Sequence, residues 1–125
     1  MPLSISKKLL NACKDKLVEM KTRHLESLKS LSTDLVRETS GDVADQARQI
    51  QEETISLARR EKLNQELGEI NQALERIKNE TYGVCEETGT PIEEKRLMAL
   101  PWTRLSLEGA EIREMASDEQ EDVGS

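Results

Sequence analysis

Two groups of residues in this 125-residue sequence are of types and spacings that can carry chemistry. The first is Asp42 and Asp45, just past Gly41. Residues three apart on a helix share a face, so the two carboxylates would stand together. From Glu38 to Glu53 there are five acids (Glu38, Asp42, Asp45, Glu52, Glu53) and one base, Arg48. Two readings fit this pattern. Acids are favoured in the first turn of any helix by capping and by the macrodipole. An exposed carboxylate pair can also be presented to a metal or a basic groove, since Mg²⁺ is commonly bound by one or two carboxylates while keeping several waters.

The second group starts at Cys85, which opens a C-x₂-C spacing whose next position is Thr88. Where two further ligands would follow, about twenty residues on, stand Ser106 and Gly109. A tetrahedral structural zinc needs four thiolate or imidazole ligands, and only one of these four positions supplies one. Zinc is therefore not expected, and the segment reads as a metal-free knuckle. Cys85 reads as structural, because no histidine lies near it in sequence and Glu86 and Glu87 would raise its pKa. Cys13 and Cys85 stand in unlike contexts, and no disulfide between them is expected in a reducing compartment. His24, the only histidine, reads as a helix-seam residue. With no glycine-rich phosphate loop, nucleophile elbow or histidine cluster, intrinsic enzyme activity is not expected.

The elements that position these groups are helical. Charged residues make up 34% of the chain and apolar residues 35%, with no Phe, one Trp and one Tyr. That composition favours long helices over a sandwich or α/β fold. Leu10, Leu17 and Leu31 repeat on a seven-residue grid with His24 in the gap, Cys13 and Met20 on the adjoining row, and Leu28 and Leu35 continuing the stripe. Ser4 or Ser6 can cap this arm. Glu38-Thr-Ser-Gly-Asp42 is the break: Gly41 permits reversal, and Thr39 or Ser40 can cap the return arm. Leu63, Leu67, Ile70, Leu74 and Ile77 then follow a 4-3-4-3 spacing, which Ile50 and Leu57 extend toward the break.

The expected architecture is mainly α. A long antiparallel coiled-coil hairpin fills residues 1–81, with its tip at about 38–47. A zinc-finger-like knuckle and a C-terminal helix follow over 82–116, where Gly83, Gly89, Pro91 and Pro101 set the turns. The knuckle core is expected from Tyr82, Ile92, Leu97, Leu100, Trp102, Leu105 and Leu107. Residues 117–125, acidic and polar, are expected to be a disordered tail. The net charge of −7 argues against duplex DNA as a partner. No apolar run reaches the ~18–20 residues needed to span a bilayer, and residues 1–8 lack a signal-peptide core. A cytoplasmic monomer that does not touch membranes is expected.

With tip and knuckle in view, the chain resembles the DksA/TraR family of bacterial RNA polymerase-binding factors. Asp42-Val-Ala-Asp45-Gln-Ala47 matches the family tip motif D-x-x-D-x-A. Tyr82-Gly83-Val84-Cys85, running on to Thr88-Gly89-Thr90-Pro91-Ile92 and then Lys95-Arg96-Leu97 and Pro101, is similar to the family knuckle. The likeness spans about residues 38–114 and rests on both segments in order. Its cysteine-poor corner is Cys85, Thr88, Ser106 and Gly109. The resemblance implies RNA polymerase, core or holoenzyme, as the partner. The hairpin would enter the secondary channel, bring Asp42, Asp45 and Ala47 near the active site and modulate initiation without DNA contact. Lys95 and Arg96 would be rim contacts or intramolecular salt-bridge partners. Family members that respond to ppGpp use basic residues near the base of the coiled coil. Here Arg59, Arg60 and Lys62 are followed by Gln65, Glu66 and Glu69, which leaves ppGpp open. Two other readings stand beside this one: a Gre-like transcript-cleavage or elongation factor, and a coiled-coil adaptor protein.

Overall fold

The computed structural model describes residues 5–34 and 42–123, with side chains for 5–31 and 42–118. Four helices follow in order: α1 (Lys7–Asp34), α2 (Val43–Lys78), α3 (Glu94–Ala99) and α4 (Leu107–Val123). No strand occurs among the described residues; Val84 and Pro91 form one isolated antiparallel bridge. No helix among them is long and apolar enough to cross a membrane.

α1 and α2 are the two arms, of 28 and 36 residues, or about 42 and 54 Å at ~1.5 Å per residue. Met20 lies beside Ile70, His24 meets Glu66, and Leu31 lies beside Leu63 and Arg59. As numbers rise along α1 they fall along α2, so the arms are antiparallel. Ser6 caps α1: its hydroxyl accepts from the Leu9 N–H at 3.2 Å. Asp42 caps α2 from an extended backbone, its Oδ1 accepting from the Ala44 N–H at 3.0 Å. The cap is thus Asp42; Thr39 and Ser40 lie outside the described residues, as do Leu35, Glu38 and Gly41.

The seam on α1 follows the leucine grid. Cys13, Leu17 and Leu31 are buried, and Leu10, Met20, His24 and Leu28 are half-buried. His24 bridges the arms, with Nδ1 2.8 Å from the Met20 carbonyl and Nε2 2.6 Å from Glu66. On α2, Leu67, Ile70 and Ala73 are buried, and Leu63, Leu74 and Ile77 are half-buried. Ile50 and Leu57 depart from the predicted seam and are 65% and 54% exposed. The half-buried positions in that stretch are Asp45, Gln49, Ser56 and Arg60. Ile50 and Leu57 each follow an inward residue by one, which turns them about 100° off the inner face.

The knuckle does not fold on a core of its own. Cys13 and Leu17 of α1 and Ile70 and Ala73 of α2 join Tyr82, Cys85, Ile92 and Leu97 in one buried cluster, with Trp102 and Leu105 packed against it. The Tyr82 hydroxyl donates to the Pro101 carbonyl at 2.7 Å; burial and its contact with Cys13 hold the phenol above its ordinary range. Leu107, predicted in this core, is 57% exposed because it opens α4 on the outer side. α4 continues to Val123, so residues 117–123 are helical where a disordered tail is predicted. From Ala110 to Val123 no Gly or Pro interrupts the helix.

The far end of α2 closes with a Schellman motif. The Glu80 N–H donates to Ile77 at 3.3 Å and the Thr81 N–H to Arg76 at 2.9 Å. Glu80 is left-handed, at φ 62°, where a side chain is costly. Glu80→Gly should therefore stabilise the fold by about 0.5–1 kcal/mol. Thermal or urea unfolding of the two proteins checks this, and a loss of stability would show that the Glu80 side chain has a compensating role.

Candidate functional site

The two chemical groups named by the sequence lie at opposite ends of the lever. At the tip, Asp42 is exposed and its carboxylate caps α2. Asp45 stands in the first turn, half-buried and engaged in an interaction. Ala47 is exposed. Capping, one of the two readings of this acid pair, is thus real for Asp42. It uses one oxygen of an exposed residue.

At the foot, the structure brings Cys85, Thr88, Ser106 and Gly109 to one point. Cys85 and Ser106 are 1% and 2% exposed. The Ser106 hydroxyl accepts from the Gly109 N–H at 3.0 Å, and its carbonyl accepts from the Ala110 N–H at 2.9 Å, so Ser106 is the cap of α4. The Thr88 and Thr90 hydroxyls share a hydrogen bond of 2.6 Å. Gly109 sits hard against the thiol: a Cβ there would lie 2.4 Å from Cys85 Sγ and 3.3 Å from Glu87 Cβ. Burial pushes the Cys85 thiol up. Hydrogen bonds from the side chains and backbones of Ser106 and Thr88 act against it and outweigh it, bringing the thiol down from 9.0 to about 6. The predicted upward shift from Glu86 and Glu87 does not appear. Both carboxylates face arginines: Arg113 lies 3.0 Å from Glu87 and 3.8 Å from Glu86, and Arg104 lies 4.0 Å from Glu86.

Of the two basic residues named as rim contacts, Lys95 is exposed on α3. Arg96 is half-buried and its Nε donates to the Leu105 carbonyl at 2.8 Å. Its intramolecular partner is thus a backbone oxygen, with no carboxylate involved. Three cations that sequence reasoning missed tie the foot together. Arg76 donates to the Trp102 carbonyl at 3.0 Å and the Thr103 carbonyl at 3.4 Å; burial lowers its pKa, with Glu86 opposing. Arg104 reaches Glu69 on α2 at 3.2 Å, and Lys16 on α1 donates to the Met98 carbonyl at 2.8 Å. These partners are 26 to 82 positions apart in the chain, and no local pattern marks them.

Two predictions come from the corner. Gly109→Ala should cost about 1–3 kcal/mol, the usual range for overpacking. Much of that should return in Cys85→Ala/Gly109→Ala, so a double-mutant cycle by urea unfolding should be strongly non-additive. The second concerns pH. The folded-state thiol pKa lies below its ordinary value, so its stabilising contribution is complete above about pH 9 and is lost as pH falls toward 6. The stability difference between the wild type and Cys85→Ser, measured with a chelator present, should thus grow from pH 6 to pH 9. A flat difference would mean that the thiol stays protonated.

Comparison with known proteins places this geometry. Residues 80–114 match the family model of the prokaryotic dksA/traR C4-type zinc finger. The chain is 36% identical over 115 residues to an uncharacterized protein of Aquifex aeolicus, covering 86% of this chain and 77% of that one. It is 35% identical over 103 residues to the RNA polymerase-binding transcription factor DksA of Caulobacter vibrioides, covering 81% and 72%. The solved structure of transcription factor DksA2 from Pseudomonas aeruginosa matches with a TM-score of 0.80 at 28% identity, over 90% of this chain and 88% of that one. The C4-type match corrects the expectation that no zinc or other cofactor is involved, because the segment belongs to a zinc-finger class. The residues at the corner are nonetheless one thiol, two hydroxyls and a bare α-carbon. They do not compose a four-thiolate cage; the contacts that join them are the Gly109–Ser106 hydrogen bond and the close approach of Gly109 to the Cys85 sulfur. The tip motif, the two-armed hairpin and the finger, in that order and over most of both chains, make this chain a member of the DksA/TraR family.

Proposed function

We propose that this chain is a bacterial transcription regulator that binds RNA polymerase and reaches into its secondary channel with the α1–α2 hairpin. The observation that carries this reading is the joining of an exposed acidic tip to a lever whose core, among the described residues, lies at the other end. A lever of about 42–54 Å on so small a body is suited to reaching into a partner. It is built to place Asp42, Asp45 and Ala47 deep inside something else. The relative from Caulobacter vibrioides is named for polymerase binding, and the negative net charge suits a factor that acts on the enzyme and leaves the DNA alone.

In this reading the chain does no chemistry itself. It acts as a monomer in the cytoplasm, and its tip alters the charge and packing near the polymerase active site during initiation. Lys95 and the outer face of α4 are the surfaces offered to the outer wall of the channel.

The test uses Asp42→Asn/Asp45→Asn. Asparagine caps helices about as well as aspartate, so the substitution removes charge and keeps the helix start. Binding to core polymerase should stay within about threefold, while the effect on open-complex lifetime should be abolished. A double variant that regulates as the wild type does would rule out the acidic tip.

A further inference from the structure

Distal α2 carries a second apolar row, exposed along its length. Val43, Ala47, Ile50, Thr54 and Leu57 follow a 4-3-4-3 spacing, the signature of a helix-packing seam. All five are exposed; Val43, Ile50 and Leu57 are 78%, 65% and 54% open. The Thr54 hydroxyl is satisfied by the Ile50 carbonyl at 2.8 Å, so Thr54 does not interrupt the row with an unmet polar group. The inward positions of the same stretch are polar, as described above. Over these four turns the exposed row is apolar and the half-buried row polar, the reverse of an ordinary amphipathic helix.

We infer that this row docks along one apolar helix in the wall of the polymerase channel. The inference rests on the proposed function and adds a contact surface to it. Three features select this occupant. The row spans about 21 Å, and one helix face of that length and about 10–12 Å width offers only a few hundred Å². A stable pair needs about 800 Å² per partner, so the row is too small to hold two copies of this chain together. It is large enough to add to an interface anchored elsewhere. It is also continuous with the tip, because Ala47 belongs to both. Any partner that surrounds Asp42 and Asp45 therefore lies against the row. Finally, its borders are Ala44, Gln46, Gln51, Glu53 and Ala58, with the one charge, Glu53, accepting from Gln49 at 3.3 Å. Borders with a single charge, already engaged by Gln49, suit an apolar partner face, not a basic one.

The test compares wild type, Ile50→Gln/Leu57→Gln and Asp42→Asn/Asp45→Asn for binding to core RNA polymerase at low and high salt. Both apolar residues are exposed, and glutamine is at least as good a helix former, so circular dichroism and unfolding should be unchanged. The glutamine variant should bind at least tenfold more weakly, and by the same factor at both salt levels, because an apolar contact is not screened. Equal binding by wild type and the glutamine variant would overturn the inference and leave the proposed function standing. Failure of the wild type to bind polymerase would overturn the proposed function itself. A wild-type dimer in sedimentation that the glutamine variant abolishes would assign the row to a second copy and also overturn the inference.

Discussion

The structure depends on one short core at the foot of the hairpin. Cys13 and Leu17 from the first arm and Ile70 and Ala73 from the second meet Tyr82, Cys85, Ile92 and Leu97 from the finger. Each of these segments has too little apolar surface to be stable alone. A bare two-helix hairpin buries only a narrow stripe, and a finger of some thirty residues falls below the size at which one core usually suffices. Packed together they share a single desolvated centre. Polar ties then fix the angle between finger and arms: Tyr82 on Pro101, Arg76 on Trp102 and Thr103, Arg104 on Glu69, Lys16 on Met98. That fixed angle makes the hairpin a lever, since a tip some 40 Å from the core moves with whatever the foot is bound to.

The same constraint accounts for how the sequence reads. The helical hairpin, its antiparallel sense and the leucine seam of α1 are legible because they are local: a 3.5-residue periodicity, a break at Gly41 and a resumption. The helix start at Asp42 and Asp45 is legible for the same reason. The foot is not. Its cations find partners 26 to 82 residues away, and those partners are mostly backbone carbonyls, which carry no sequence signature. Leu107 misleads because its apolar character is judged one residue at a time, whereas its direction is set by the start of α4. Ile50 and Leu57 mislead because periodicity identifies a seam without saying which neighbour it faces.

The finger corner belongs to a zinc-finger class yet carries a thinned ligand set. Four thiolates around a metal hold a finger by strong, directional bonds. Here the corner residues are smaller and the site is correspondingly tight, with Gly109 pressed against the Cys85 sulfur so closely that even a methyl group would collide. Ser106 takes two duties at once, capping α4 and donating to the thiol. A helix cap and a buried hydrogen bond are each worth about 1 kcal/mol.

Seen from the core outward, burial along α2 declines in steps. Near the foot the seam is apolar and closed, at Leu67, Ile70 and Ala73. In the middle it is bridged by polar contacts, with His24 held between the Met20 carbonyl and Glu66. Toward the tip the inward row becomes Asp45, Gln49, Ser56 and Arg60 while the apolar residues turn outward. An arm meant only to project would keep its apolar side inward along its whole length, because an exposed apolar row adds nothing to the stability of the isolated chain and invites association. Retaining that row only where the hairpin is far from its own core puts the surface where a partner, and not the fold, can bury it.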